Sequence, residues 1–205
     1  MSDERAPEDD STASDDDSAA AEADSLAWEV LDSEVAYSCP GFDVRREDVR
    51  LPDGTETDFD YLSEPPSVVV LPFTPAGEVV VIEEWRQAVR RVNRSLPVGG
   101  MEPDDADRAA AAHRELREET GYEADSVDFL TSVEPANGIA DCVLHFFVAH
   151  GCTPTAEQEL DHNESIRVET TTMDELREHV AGREIRDGRT TLGVLYYEAF
   201  GTEDE

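Results

Sequence analysis

Glu115, Glu118 and Glu119 stand at i, i+3 and i+4, a spacing that on a helix brings three carboxylates to one face. Three like charges so placed repel one another. A hard divalent cation between them reverses the sign, because carboxylate oxygens are the donors that Mg²⁺ and Mn²⁺ prefer. Arg114 lies one turn before Glu118, close enough to hold that carboxylate through a guanidinium fork. Gly121 follows as a helix-ending glycine, and Gly99-Gly100 precedes the segment as a loop, from which a carbonyl of Val98 or Gly99 can complete the cage. The competing reading is a solvated acidic helix, common in an acid-rich chain. Glycines bounding both ends favour a metal site.

The elements that must position this face follow from local patterns. The acidic helix is expected to run from a cap at Asp104 or Asp105, through the alanine run, to Thr120. Before it, Ser67–Leu71 and Val79–Ile82 read as apolar strands joined as a hairpin through Thr74-Pro75-Ala76-Gly77, and Arg94–Val98 as a further strand. After it come strands at Asp125–Val133, Val143–Ala149 and Ser165–Thr170, then helices at Met173–Ala181 and Thr190–Phe200. Short strands from Trp28 to Tyr37, Phe42 to Leu51 and Thr55 to Tyr61 form a small antiparallel set ahead of the main domain. The expected fold class is α+β, a mixed β-sheet packed between helices. The expected organisation is a disordered acidic tail over 1–25, the strand segment over 26–62, and the main domain over 63–205.

Composition narrows the partners. The chain has 205 residues, with 50 acidic against 16 basic and a net charge of -34, and every basic residue is arginine. Such a surface argues against nucleic acid and anionic membranes as partners. The excess runs through the folded part as well as the tail, which is the composition of a halophilic protein whose self-repulsion is screened in concentrated salt. Cys39, Cys142 and Cys152 are odd in number and lack CxxC spacing, so neither a disulfide framework nor a zinc site is indicated. The acidic start of the chain lacks the pattern of a signal peptide, and no stretch has the length of a transmembrane helix. A cytoplasmic protein is the expectation.

The string Arg114-Glu115-Leu116-Arg117-Glu118-Glu119-Thr120-Gly121-Tyr122, preceded by Gly99-Gly100-Met101-Glu102-Pro103, resembles the Nudix box. That resemblance implies metal-dependent hydrolysis of a nucleoside diphosphate linked to another group. The metal would be Mg²⁺, with Mn²⁺ able to replace it; Glu115, Glu118 and Glu119 would be its ligands, and Glu118 and Arg114 catalytic. It also implies a general base from a later loop, for which Glu164 is the candidate. The box has a glutamate six residues after its glycine. Counting from Gly99 gives Asp105 there, with one residue extra before Arg114; counting from Gly100 keeps the interval to Arg114 but gives Ala106. The first alignment is preferred.

Features outside the box resemble the ADP-ribose pyrophosphatase group: the N-terminal strand set, the segment Glu84-Trp85-Arg86-Gln87-Ala88-Val89, and Pro135 after the box. They imply a homodimer, Arg86 as a substrate-phosphate ligand, and ADP-ribose as substrate, cleaved to AMP and ribose 5-phosphate. The alternatives are a sanitising nucleoside triphosphate pyrophosphohydrolase and a non-catalytic Nudix-fold ligand sensor. The first fits poorly with the N-terminal strands and Arg86. The second fits poorly with a complete set of helix carboxylates.

Overall fold

Val68, Val69, Val70 and Leu71 are all buried, and their side chains point alternately to two separate cores. A strand that reads as a continuous apolar run is one covered on both faces. Around it the computed structural model, which describes residues 25–201, builds helices on both sides of mixed sheets. The expected 1–25 tail lies, except for Ser25, outside the described residues.

The chain begins with a meander of three antiparallel strands, β1 (Glu29–Cys39), β2 (Phe42–Arg50) and β3 (Glu56–Ser63). The main body follows with β4 (Ser67–Pro72), β5 (Val79–Arg86), β6 (Arg91–Ser95), β7 (Val98–Gly100), α1 (Arg108–Thr120), β8 (Tyr122–Glu123) and β9 (Ser126–Val133). It closes with β10 (Leu144–His150), β11 (Thr153–Pro154), β12 (Ile166–Thr171), α2 (Met173–Ala181) and α3 (Gly188–Phe200). One sheet runs β7-β4-β10-β9, with β4 and β10 parallel and the outer pairs antiparallel; a second runs β12-β5-β6. Val68, Val70, Val80 and Phe147 pack against Ala111, Ala112 and Leu116 of α1. Val69, Leu71, Val81 and Phe146 pack on the other side with Leu176 of α2 and Val194 of α3. This is the expected α+β arrangement.

Two local expectations are corrected. The Thr74–Gly77 turn forms, with Gly77 N–H donating to the Thr74 carbonyl, but β4 and β5 do not continue as a hairpin beyond the Phe73–Val79 bridge. Both edges of β4 are taken by β7 and β10, and both edges of β5 by β6 and β12, so the strands part into different sheets. The strand expected over Arg94–Val98 is split at Leu96-Pro97 into β6 and β7, which belong to different sheets. Proline has no N–H to donate to a ladder, and its ring interrupts pairing.

Candidate active site

Asp107, not Asp104 or Asp105, caps α1: its side chain accepts from Ala110 N–H at 2.8 Å. Gly121 ends the helix in the left-handed conformation at φ 73°, where the Ala156 carbonyl would collide with any side chain. Between these stops the helix buries Ala111, Ala112 and Leu116 on the sheet and turns its carboxylates along β7.

Arg114 organises the site. Its Nη1 donates to Glu115 Oε1 at 2.8 Å and to Glu118 Oε2 at 3.0 Å, and its Nη2 donates to the Gly100 carbonyl at 2.8 Å. Both oxygens of Asp105 accept from the same guanidinium, Oδ1 from Nε at 3.0 Å and Oδ2 from Nη2 at 2.9 Å. Asp105 is thus drawn away from the helix cap, and its hydrogen bonds to Arg114 hold its carboxyl below the usual range. Sequence reasoning placed Arg114 on Glu118 alone; the structure adds Glu115, Asp105 and the glycine strand.

β7 supplies the other wall. Val98 N–H donates to Glu119 Oε2 at 2.9 Å, and the Glu115 carboxylate fills the space beside the Cα of Gly99. Val98 and Gly99 therefore meet two of the three helix carboxylates. Gln158 Nε2 donates to the Glu119 carbonyl at 2.6 Å, and Glu159 N–H to the Glu118 carbonyl at 2.9 Å, which pins the incoming loop to the helix end. That loop delivers Glu164, whose Oε2 accepts from Asp161 N–H at 3.0 Å.

Glu115, Glu118, Glu119, Arg114 and Glu164 line one cleft of about 420 Å³, together with Gly99 and the β1–β2 turn at Pro40-Gly41. The structure brings together every helix and loop residue singled out for catalysis. Arg86 does not line this cleft; its Nη2 lies 2.6 Å from Glu84 Oε2. Glu84 does not line the cleft either, but it is the partner of Arg86 and was not singled out from the sequence. It is 5% exposed, and burial raises its pKa, with Glu164 adding to the effect. Its signal was present: a carboxylate in phase with Val80 and Ile82 on a buried strand.

The electrostatics suit a cation. Burial pushes Glu115 up to about 7, and Glu119, also deeply buried, is raised well above the usual carboxylate value with Glu115 and Glu164 adding to it. Among the described residues no three of these side chains converge on one point as they stand, because Arg114 takes Glu115 and Glu118, and Val98 takes Glu119. An all-oxygen donor set with two buried, undercompensated carboxylates fits a hard divalent ion. Glu115, Glu118 and Glu119 are the residues that would hold it.

Comparison with known proteins agrees with this geometry. The NUDIX domain family matches residues 63–189, and the nucleoside diphosphate sugar hydrolase N-terminal domain matches residues 28–62. The ADP-ribose pyrophosphatase of Bacillus subtilis (strain 168) is 30% identical over 172 residues, covering 83% of this chain and 92% of that protein. The methanol dehydrogenase activator of Bacillus methanolicus is 30% identical over 151 residues, covering 73% of this chain and 81% of that one. A crystal structure of an ADP compounds hydrolase shares the fold, with a TM-score of 0.74 at 18% identity over 84% of this chain and 93% of the other. Among the described residues no helix is long and apolar enough to cross a membrane. The acidic helix and its glycine strand lie within the matched residues, and this chain belongs to the Nudix hydrolase family.

Proposed function

We propose that this protein hydrolyses the diphosphate linkage of ADP-ribose, giving AMP and ribose 5-phosphate, with Mg²⁺ as cofactor and Mn²⁺ as an effective replacement. The observation that carries the reading is the convergence of Glu115, Glu118, Glu119 and Glu164 in one cleft behind an N-terminal strand set. The relatives named for ADP-ribose hydrolysis support the choice of substrate.

A divalent ion at the helix carboxylates supplies charge neutralisation at phosphate oxygens and a more acidic water. The protein's own part is positional. Arg114 fixes Glu115 and Glu118 against the Gly99–Gly100 strand, so that metal-binding oxygens are set before substrate arrives. Glu164 keeps Oε2 on the Asp161 N–H, which leaves Oε1 to accept a proton from the attacking water. Arg86 is read as a substrate-phosphate ligand that exchanges its Glu84 contact for a phosphate oxygen.

The working unit is read as a homodimer. Trp28, Val30, Leu31, Val35 and Tyr37 of β1 and its approach are 40–58% exposed, an apolar face that a second copy would cover. The acidic composition is read as adaptation to a salt-rich cytoplasm. A turnover panel of ADP-ribose, NADH, sugar nucleotides and dNTPs with Mg²⁺ tests the substrate. ADP-ribose should have the highest kcat/KM, and preference for a dNTP would replace the reading with that of a triphosphate-sanitising hydrolase.

A further inference from the structure

Arg86 and Arg91 are directly opposed partners at the end of the β5–β6 ladder. Like charges facing each other across two strands destabilise the pair unless something negative lies between them. Burial alternates along this hairpin. Glu84, Arg86, Arg91 and Asn93 lie on the covered face, whereas Trp85 and Val92 on the other face are 49% and 56% exposed. The register of β12 on β5 pairs Ile166 with Glu84, and extending it by two residues sets Glu164 level with Arg86. Glu164 itself lies in the loop before β12 and lines the acidic cleft.

Neither arginine is saturated. Arg86 Nε is buried with no hydrogen-bond partner, and the 2.6 Å approach of Arg86 Nη2 to Glu84 is an ion pair that leaves Glu84 Oε2 without an aligned hydrogen bond. Arg91 forms no ion pair among the described residues and spends its Nε on a neutral acceptor, Asn93 Oδ1, at 2.8 Å. In a chain with 50 acidic residues, a structural arginine has carboxylates to choose from, as Arg117 has Glu159 and Arg50 has Glu56. Arg91 faces inward beside another arginine instead.

We propose that Arg91 is the second arm of a two-arginine clamp, opposite Arg86, that binds the non-bridging oxygens of the substrate's diphosphate. This rests on the reading of the chain as a nucleoside diphosphate hydrolase. Two planar guanidinium forks suit an anion with several oxygens on adjacent phosphorus atoms, and the bound anion relieves the Arg86–Arg91 repulsion. In this arrangement the two arginines hold the diphosphate and the carboxylates of α1 hold the cation. Arg91 grips rather than reacts, and its removal weakens ground and transition states alike.

The test is steady-state kinetics on ADP-ribose with Mg²⁺, together with calorimetric binding of inorganic pyrophosphate, for wild type, Arg91→Ala, Arg91→Gln, Arg91→Lys and Arg90→Ala. Arg90, exposed in the adjoining turn, is the charge control. Loss of a charged hydrogen-bonding group predicts that Arg91→Ala and Arg91→Gln raise KM and the pyrophosphate Kd about tenfold to a hundredfold, with kcat within about threefold. Arg91→Lys should recover part of the loss, and Arg90→Ala should stay within about twofold of wild type. KM and pyrophosphate Kd unchanged in the folded Arg91 variants, or a loss confined to kcat, would overturn the clamp. If wild type turns over no ADP-ribose, the substrate assignment fails by itself, and the clamp stands or falls on the pyrophosphate result.

Discussion

The carboxylate of Glu115 occupies the place where a side chain on Gly99 would sit: a Cβ built there lies far inside contact distance of all three carboxyl atoms. The glycine is needed for space, not for an unusual backbone angle, and it lets the buried Glu115 carboxylate, proposed as a metal ligand, lie against β7. Gly99→Ala must therefore push Glu115 aside or part α1 from the strand. We expect a stability loss of about 1–3 kcal/mol from overpacking and a fall in kcat of at least about tenfold. Thermal unfolding and steady-state kinetics check both. Gly100→Ala, which meets nothing within 4 Å, is the control and should keep near-normal stability.

Arg114→Lys should lose most of its activity although it keeps the charge. One guanidinium serves Asp105, Glu115, Glu118 and the Gly100 carbonyl, and an ammonium cannot span that set. The loss should appear in kcat, by about tenfold to a hundredfold, with KM within about threefold. A large rise in KM at normal kcat would make Arg114 a substrate ligand instead.

Much of this site was legible because it is local. The spacing of Arg114, Glu115, Glu118 and Glu119 depends only on helical geometry, and Gly121 ends the helix by its own conformational freedom. The cap was not legible: Asp104, Asp105 and Asp107 are equivalent as sequence, and only the capture of Asp105 by Arg114 leaves the role to Asp107. The false β4–β5 hairpin arose because its turn is real while the partners that separate the strands, β10 and β12, are distant in sequence. The pairing of Arg91 with Arg86 was hidden for the same reason, since it lies in register across strands, whereas Glu84 could have been found from its phase with Val80 and Ile82.

Metal affinity should depend on pH in a defined direction. Burial holds Glu115 near 7 in the metal-free protein, against an ordinary value of 4.5, so below 7 an incoming cation must displace a proton. Affinity should rise by up to about tenfold per pH unit for each proton displaced and level off above about pH 8. By the same shift, the metal-free fold is favoured at low pH relative to the unfolded chain. That contribution is fully present below about 4.5 and is lost as pH rises through about 7. Calorimetric Mg²⁺ titrations at pH 5.5, 6.5, 7.5 and 8.5 check the direction. Flat affinity across this range would mean that the carboxylates are already ionised.

Glu164→Gln should bind metal and substrate normally but turn over slowly, with the acid limb of its pH–rate profile gone. An intact acid limb would pass the role to another carboxylate. Glu159 is poorly suited to it, since its hydrogen bond to Arg117 keeps its carboxyl below the usual range.

Hydrolysis of ADP-ribose is assigned to the carboxylates of α1 acting with a divalent ion. The most direct measurement is product release from ADP-ribose by wild type and Glu118→Gln, each with MgCl₂ and with excess EDTA. Wild type with Mg²⁺ should release equal amounts of AMP and ribose 5-phosphate and with EDTA none, and a folded Glu118→Gln should show at least about a hundredfold lower kcat. Turnover in EDTA, or a Glu118→Gln protein that works near the wild-type rate, would contradict the assignment.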